Sequence, residues 1–180
     1  MINKLKTYLR FPAAGFTLIE TLVAVLILAT AIAGPLTIAS RGLNAALVAK
    51  DQTVAYYLAQ DAVEYIRYKR DSACLVAGSP CGSNWLATVP LCTSANGCYV
   101  NTVTDAMTPC ASGCPNVLKY DPNTHVYGYT TGSATTFQRS VVITKPAADE
   151  AKLTVSVSWT DTAGAVHPPV TVTEELFNWE

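Results

Sequence analysis

The chain has 180 residues, half of them hydrophobic, with 12 Lys and Arg against 13 Asp and Glu for a net charge of -1. That balance excludes a strongly basic nucleic-acid binder, and the length leaves room for one compact domain beside a membrane helix, not two. There is no phosphate-binding loop, no H-E-x-x-H and no G-x-S-x-G, so nucleotide hydrolysis, zinc proteolysis and serine-hydrolase chemistry lack their sequence signatures.

The first element, Met1 to Gly15, carries Lys4, Lys6 and Arg10 and no acid, which predicts a segment held on the cytoplasmic side while the rest crosses outward. From Phe16 to Ser40 the one charged side chain is Glu20, and Phe16 to Ala33 already suffices to cross ~30 Å of hydrocarbon as a helix. In a secretory signal the small residues follow the apolar run; here Ala13, Ala14 and Gly15 precede it. Cleavage after Gly15 would therefore leave the helix on the mature protein, with the amine of Phe16 at its start and a net charge of -4. An unpaired acid at mid-membrane costs up to roughly 3 kcal/mol and less toward the interface, so Glu20 calls for a partner, and the Phe16 amine of a neighbouring subunit is a candidate. A plain membrane-edge acid facing headgroups is the bland reading of Glu20, and a contact awaiting a partner helix is the functional one.

Gly15-Phe16-Thr17-Leu18-Ile19-Glu20 followed by an apolar helix resembles the class III leader and cleavage site of type IV prepilins and type II secretion pseudopilins. The continuation Thr21 to Leu28 is closer to the minor subunits than to the usual major-subunit run. The resemblance covers about the first 30 residues and is architectural beyond about Asp71. It implies cleavage after Gly15 and N-methylation of Phe16 by a prepilin peptidase/N-methyltransferase, with Glu20 guiding subunit docking. It further implies partners among other pilin or pseudopilin subunits, an inner-membrane assembly platform and a separate motor ATPase, with no cofactor. The expected location is the bacterial inner membrane as a single-pass precursor with its head outside the cytoplasm, then a surface pilus or pseudopilus.

The helix is expected to continue beyond the membrane, because Leu43, Leu47, Val54, Leu58, Ala62, Tyr65 and Ile66 recur at mostly three- and four-residue steps. Arg41, Lys50, Asp51, Gln60, Asp61, Arg67, Lys69 and Arg70 fill much of the rest, predicting one apolar stripe laid against a head. Gly34-Pro35 predicts a kink or local melting, since Pro35 removes a backbone donor and crowds the preceding turn.

From Asp71 to about Pro122 the chain is punctuated by Gly, Ser, Pro, Asn and Cys, which reads as a braced loop region. All six cysteines lie there: Cys74, Cys81, Cys92, Cys98, Cys110 and Cys114. An extracytoplasmic setting favours disulfides, and a zinc site is disfavoured because no C-x2-C occurs and His125 and His167 lie far along the chain. Sequence leaves the connectivity open; pairing nearest neighbours, Cys74 with Cys81, Cys92 with Cys98 and Cys110 with Cys114, is the simplest reading.

After His125 alternation predicts strands over Val126 to Tyr129, Phe137 to Thr144, Leu153 to Trp159 and Val170 to Phe177. Leu153, Val155, Val157 and Trp159 share one face and Thr154, Ser156 and Ser158 the other, the pattern of an antiparallel sheet wet on one side. The expected fold is α+β, a long N-terminal helix on an antiparallel sheet, divided as leader 1-15, membrane and assembly helix 16-40, amphipathic helix 41-71 and head 72-180.

Chemistry-bearing groups in the head have ordinary readings. Asp149, Glu150, Glu174 and Glu175 are adjacent acids that a strand points to opposite faces, and His125 and His167 flank strands. Arg67, Lys69 and Arg70 with Tyr65 and Tyr68 are a small basic and aromatic concentration, too few charges for nucleic-acid binding. Trp159 follows the core alternation and Trp179 the last strand, so both are read as packing; Trp85 stays open as a ligand anchor. The function expected is a non-enzymatic minor pilin. A minor type II secretion pseudopilin is the close alternative, and a membrane-anchored binding protein for a surface, sugar or DNA is the alternative of another class.

Overall fold

The computed structural model describes residues 15–77, 84–111, 114, 116–161 and 164–178, without the side chains of Cys74, Val76 and Ala77. The chain forms two compact units, Met1–Ala46 and Leu47–Glu180, and helix α1 (Leu18–Ala77) contributes to both.

Thr17 starts α1: its side-chain oxygen accepts from the N–H of Glu20 at 3.3 Å, the N-cap to N3 bond that satisfies one orphan donor of the first turn. The helix stays helical through Gly34 and Pro35, so the expected local melting does not occur. Within the apolar half the hydroxyls turn back on the backbone: Thr21 donates to Leu18 O (2.8 Å), Thr30 to Leu26 O and Ile27 O (3.1 and 3.0 Å), and Thr37 to Ala33 O (2.9 Å). Such bonds hide polar groups that hydrocarbon would leave unsatisfied. At its far end α1 runs past the expected stop at Asp71 to Ala77, because Ser72, Ala73 and Leu75 contain no breaker and Gly78 is the first residue that does.

In the second unit, the described residues form one seven-stranded antiparallel sheet: β1 (Cys98–Asn101), β2 (Ala106–Pro109), β3 (Val117–Asp121), β4 (Val126–Gly128), β5 (Ser133–Thr144), β6 (Glu150–Trp159) and β7 (Val170–Phe177). β5 is the trunk. One edge pairs with β6 from Phe137↔Trp159 to Thr144↔Lys152, and β6 pairs with β7 from Val157↔Val170 to Glu150↔Phe177. The other edge is shared: β3 takes Ser133 to Gln138, and β1 takes Val141.

The alternation in β6 is realised residue by residue. Ala151, Leu153, Val155, Val157 and Trp159 are buried, while Lys152, Thr154, Ser156 and Ser158 line the wetter face. Helix residues Ala55, Leu58, Ala59, Ala62, Val63, Tyr65 and Ile66 join them in one core with Trp85, Val89, Val100, Leu118 and Ile143. The stripe begins later than its periodicity suggests, since Leu43 and Leu47 are exposed. Each fully buried aliphatic side chain there contributes about 1.5–3 kcal/mol relative to exposure.

The expected loop region is corrected in part: it contains β1, β2 and β3. β1 can lie beside β5 because Gly97 (φ +69°) precedes it; a Cβ there would run into the Val141 carbonyl. β5 begins at Ser133, ahead of the expected Phe137, because its polar start is recruited by pairing with β3 at Tyr120↔Ser133 and Lys119↔Ala134. The structure contains the disulfides Cys92–Cys98 and Cys110–Cys114, with Cα atoms 4.6 and 5.1 Å apart. The Cys74 with Cys81 pairing lies outside the described residues.

Candidate functional site

Two places hold functional interest, the N-terminal junction and the helix-facing side of the head. At the junction Gly15 precedes the helix with open space around it, and Phe16 is 79% exposed. Glu20 sits in the first turn of α1, where the helix dipole favours an anion by about 0.3–1 kcal/mol. Among the described residues its carboxylate has no ion pair. Every described residue from 15 to 46 is exposed, including Leu18, Leu22, Leu26, Ile27, Leu28, Ile32 and Leu36. The segment is apolar all round, so a stable state requires lipid or another protein around it. α1 is long and apolar enough to cross a membrane.

This junction is where known proteins match. The family model described as a prokaryotic N-terminal methylation motif matches residues 10–34. The chain carries the leader of a type IV prepilin or pseudopilin. The motif implies processing by a prepilin peptidase and assembly with other pilins, and the helix on an antiparallel sheet with disulfide-braced loops is a type IV pilin-like α+β fold. No curated protein and no solved structure matches the chain. The apolar prepilin helix is consistent with membrane anchoring before assembly. Sequence reading missed one contribution at this site: Thr17-x-x-Glu20 is also the spacing of a helix capping box, and the Thr17 half of it forms.

In the head the organising residue is Arg139, whose side chain is wholly buried. It stands at the fork where β5 passes from β3, paired as far as Gln138, to β1, paired at Val141. Its NH1 donates to the Leu58 carbonyl (2.8 Å) and to Asp61 Oδ2 (2.7 Å), and its NH2 donates to the Val100 carbonyl (2.7 Å). One guanidinium thus ties the helix, β1 and β5 together, and Thr102 adds a hydroxyl bond to the same Asp61 oxygen at 3.1 Å. Sequence reading placed Arg139 in a strand without singling it out. The available signal was parity, since Arg139 shares the apolar phase of Phe137, Val141 and Ile143.

The remaining candidates are dispersed. Arg67 bonds Glu64 (3.3 Å) and Glu174 (2.9 Å), Lys69 bonds Asp105 (2.7 Å) and Arg70 bonds Asp71 (2.7 Å), so the basic cluster is spent on acids of the same chain. The Lys69 ammonium, and then the Tyr65 hydroxyl, hold the Asp105 carboxyl below the usual range. Burial, and then Asp105, push the Tyr65 phenol well above its ordinary value. Of the paired acids, Glu174 is taken by Arg67 while Glu175 is exposed, so no two-carboxylate site forms from them. His167 stacks on Trp159 (5.5 Å, 11°) with its Nε2 3.1 Å from Asp161 Oδ2, and His125 Nδ1 lies 2.9 Å from the Tyr120 hydroxyl. Trp85 is buried, with its indole N–H donating to the Ala148 carbonyl at 3.2 Å, so it is no ligand anchor. Trp179 lies outside the described residues. Among the described residues no group of three or more His, Cys, Asp or Glu could hold a metal.

Proposed function

We propose that the protein is a non-enzymatic structural subunit, a minor pilin of a type IV pilus or related filament. In this reading the leader 1–15 is removed after Gly15, Phe16 is N-methylated, and the segment 16–40 passes from membrane to filament. An assembly platform and a separate motor ATPase then supply the movement, since the chain has no nucleotide-hydrolysis motif. The observation that carries the reading is the methylation motif at 10–34, whose helical part from Leu18 onward is exposed on every side.

Glu20 is the assembly residue. Its acid near the start of an apolar helix has no partner within the described chain, and the amine of Phe16 from an adjoining subunit supplies one of opposite charge. The same processing serves a type II secretion pseudopilin, which is the second reading; the resemblance of Thr21 to Leu28 to minor subunits supports either.

The test compares Glu20→Ala with the parent chain in cells that make the filament. The reading expects membrane levels of the precursor to hold while its share in sheared filaments falls at least about tenfold, the loss of a contact worth roughly 1.4 kcal/mol. Equal recovery of parent and variant in filaments would overturn the role of Glu20, and absence of the parent itself from every filament or pseudopilus would overturn the structural-subunit reading.

A further inference from the structure

An open groove of about 310 Å³ lies on the head between α1, the turn after β1 and the turn joining β3 to β4. Its walls are apolar: Val54 and Tyr57 from the helix face Val126 and Tyr127 from the hairpin. Tyr57 is 68% exposed and Val126 40%, so the fold leaves aromatic and aliphatic surface uncovered at the mouth. The size is at the lower end of ligand pockets and suits one ring-sized group.

Polar groups converge on this apolar space. Asp61 lines it with 44% of its side chain exposed; Oδ2 receives both Arg139 and Thr102, and Oδ1 has no partner among the described groups. His125 also lines it, held at φ +58° in the β3 to β4 turn. With Nδ1 engaged by the Tyr120 hydroxyl, the tautomer in which that hydroxyl donates leaves Nε2 as an N–H donor. Burial, followed by the neighbouring Tyr120 and Asp51, raises the Tyr127 phenol above its ordinary range, so its ring stays neutral at physiological pH.

Charge then selects among occupants. Arg139 offsets the Asp61 carboxylate at 2.7 Å and Asp51 acts on Tyr127 from outside the lining, so the one acid in the lining is a strong acceptor whose charge is already paired. A purely apolar occupant would cover the free Asp61 oxygen and leave it unsatisfied. The fitting ligand is neutral, has one apolar face for a tyrosine ring, and carries adjacent hydroxyls to donate to Asp61 and accept from His125. We propose that this groove binds one neutral hexopyranose unit of a glycan. The inference does not rest on the filament reading, because every lining residue belongs to the unit Leu47–Glu180.

The test is saturation-transfer NMR on the full chain in a detergent without a sugar headgroup. The probes are the methyl glycosides of glucose, galactose, mannose and N-acetylglucosamine, with methylguanidinium and p-cresol as cationic and apolar competitors. At least one glycoside is expected to bind, with its ring-face protons receiving most saturation, and Tyr57→Ala is expected to weaken it about tenfold or more without shifting Tm. Asp61→Asn is expected to weaken it similarly, while Val166→Ala leaves it unchanged. Absence of transfer to every glycoside, undiminished transfer in Tyr57→Ala, or displacement at lower concentration by methylguanidinium or p-cresol would each overturn the proposal.

Discussion

The two halves of α1 use apolar residues to opposite ends. From Leu18 to Leu43 large aliphatics point in every direction and all are exposed, whereas from Ala55 to Ile66 a stripe rich in small residues, Ala55, Ala59 and Ala62, is buried against the sheet. Large residues all round a helix leave it dependent on surroundings the single chain does not supply. Small residues in a stripe let the helix approach strands closely, and the charged residues around them find acids or water. Hydrophobicity alone therefore does not distinguish a core from an assembly surface; its angular distribution does.

The largest expected effect is at Arg139. Arg139→Ala leaves the carbonyls of Leu58 and Val100 without the guanidinium and empties its buried volume, while the partly exposed Asp61 turns to water; about 3–5 kcal/mol is expected in urea unfolding of the full chain followed by head tryptophan fluorescence. A cost below about 1 kcal/mol would show that the fork in the sheet does not need its guanidinium. Next, Leu153→Ala is expected to lose about 2–5 kcal/mol in the same measurement while Leu26→Ala leaves head stability within about 0.5 kcal/mol. Equal losses would erase the contrast between the two regions. Replacing Cys92 and Cys98 together by Ala is expected to cost about 2 kcal/mol, because the closed loop is short and chain-entropy gain grows with loop length.

The smallest effect appears in alkali. Tyr65, Tyr127 and Tyr129 all have phenols raised above the ordinary value, each chiefly by burial. A group raised in the folded state stabilises it fully below its unfolded pKa, so their contribution persists up to about pH 10 and declines as pH climbs through the folded values. A urea series is expected to show constant tyrosine-linked stability from neutrality to about pH 9 and loss above about pH 10, with phenolate absorbance lagging that of the denatured chain. Phenolate absorbance that rises in step with the denatured chain would contradict the burial of these hydroxyls.

The strands that alternate without interruption were legible in the sequence. Val170 to Phe177 coincides with β7, and Leu153 to Trp159 lies inside β6, because one apolar face and one Ser- and Thr-rich face give a clear period of two. β1, β2 and β3 were not, because they are short and sit among residues that normally signal turns. Cys98 and Asn101 bound β1, Pro109 closes β2, Gly97 at φ +69° precedes β1 and Asp105 at φ +54° breaks the chain between β1 and β2. β1 and β3 pair with β5 from far along the chain, β2 is held through β1, and a disulfide ends at Cys98, none of which local pattern encodes. The methylation motif over residues 10–34 was legible because it is contiguous in the chain, and the groove was not because Tyr57, Thr102 and His125 meet only after folding.

Mass spectrometry of the N-terminus of the protein recovered from the cell envelope tests the central claim most directly. The account predicts a mature chain that begins at Phe16 with a methylated amine, all residues to Gly15 being absent. A chain that keeps its leader, or one cut beyond the apolar helix, would contradict it.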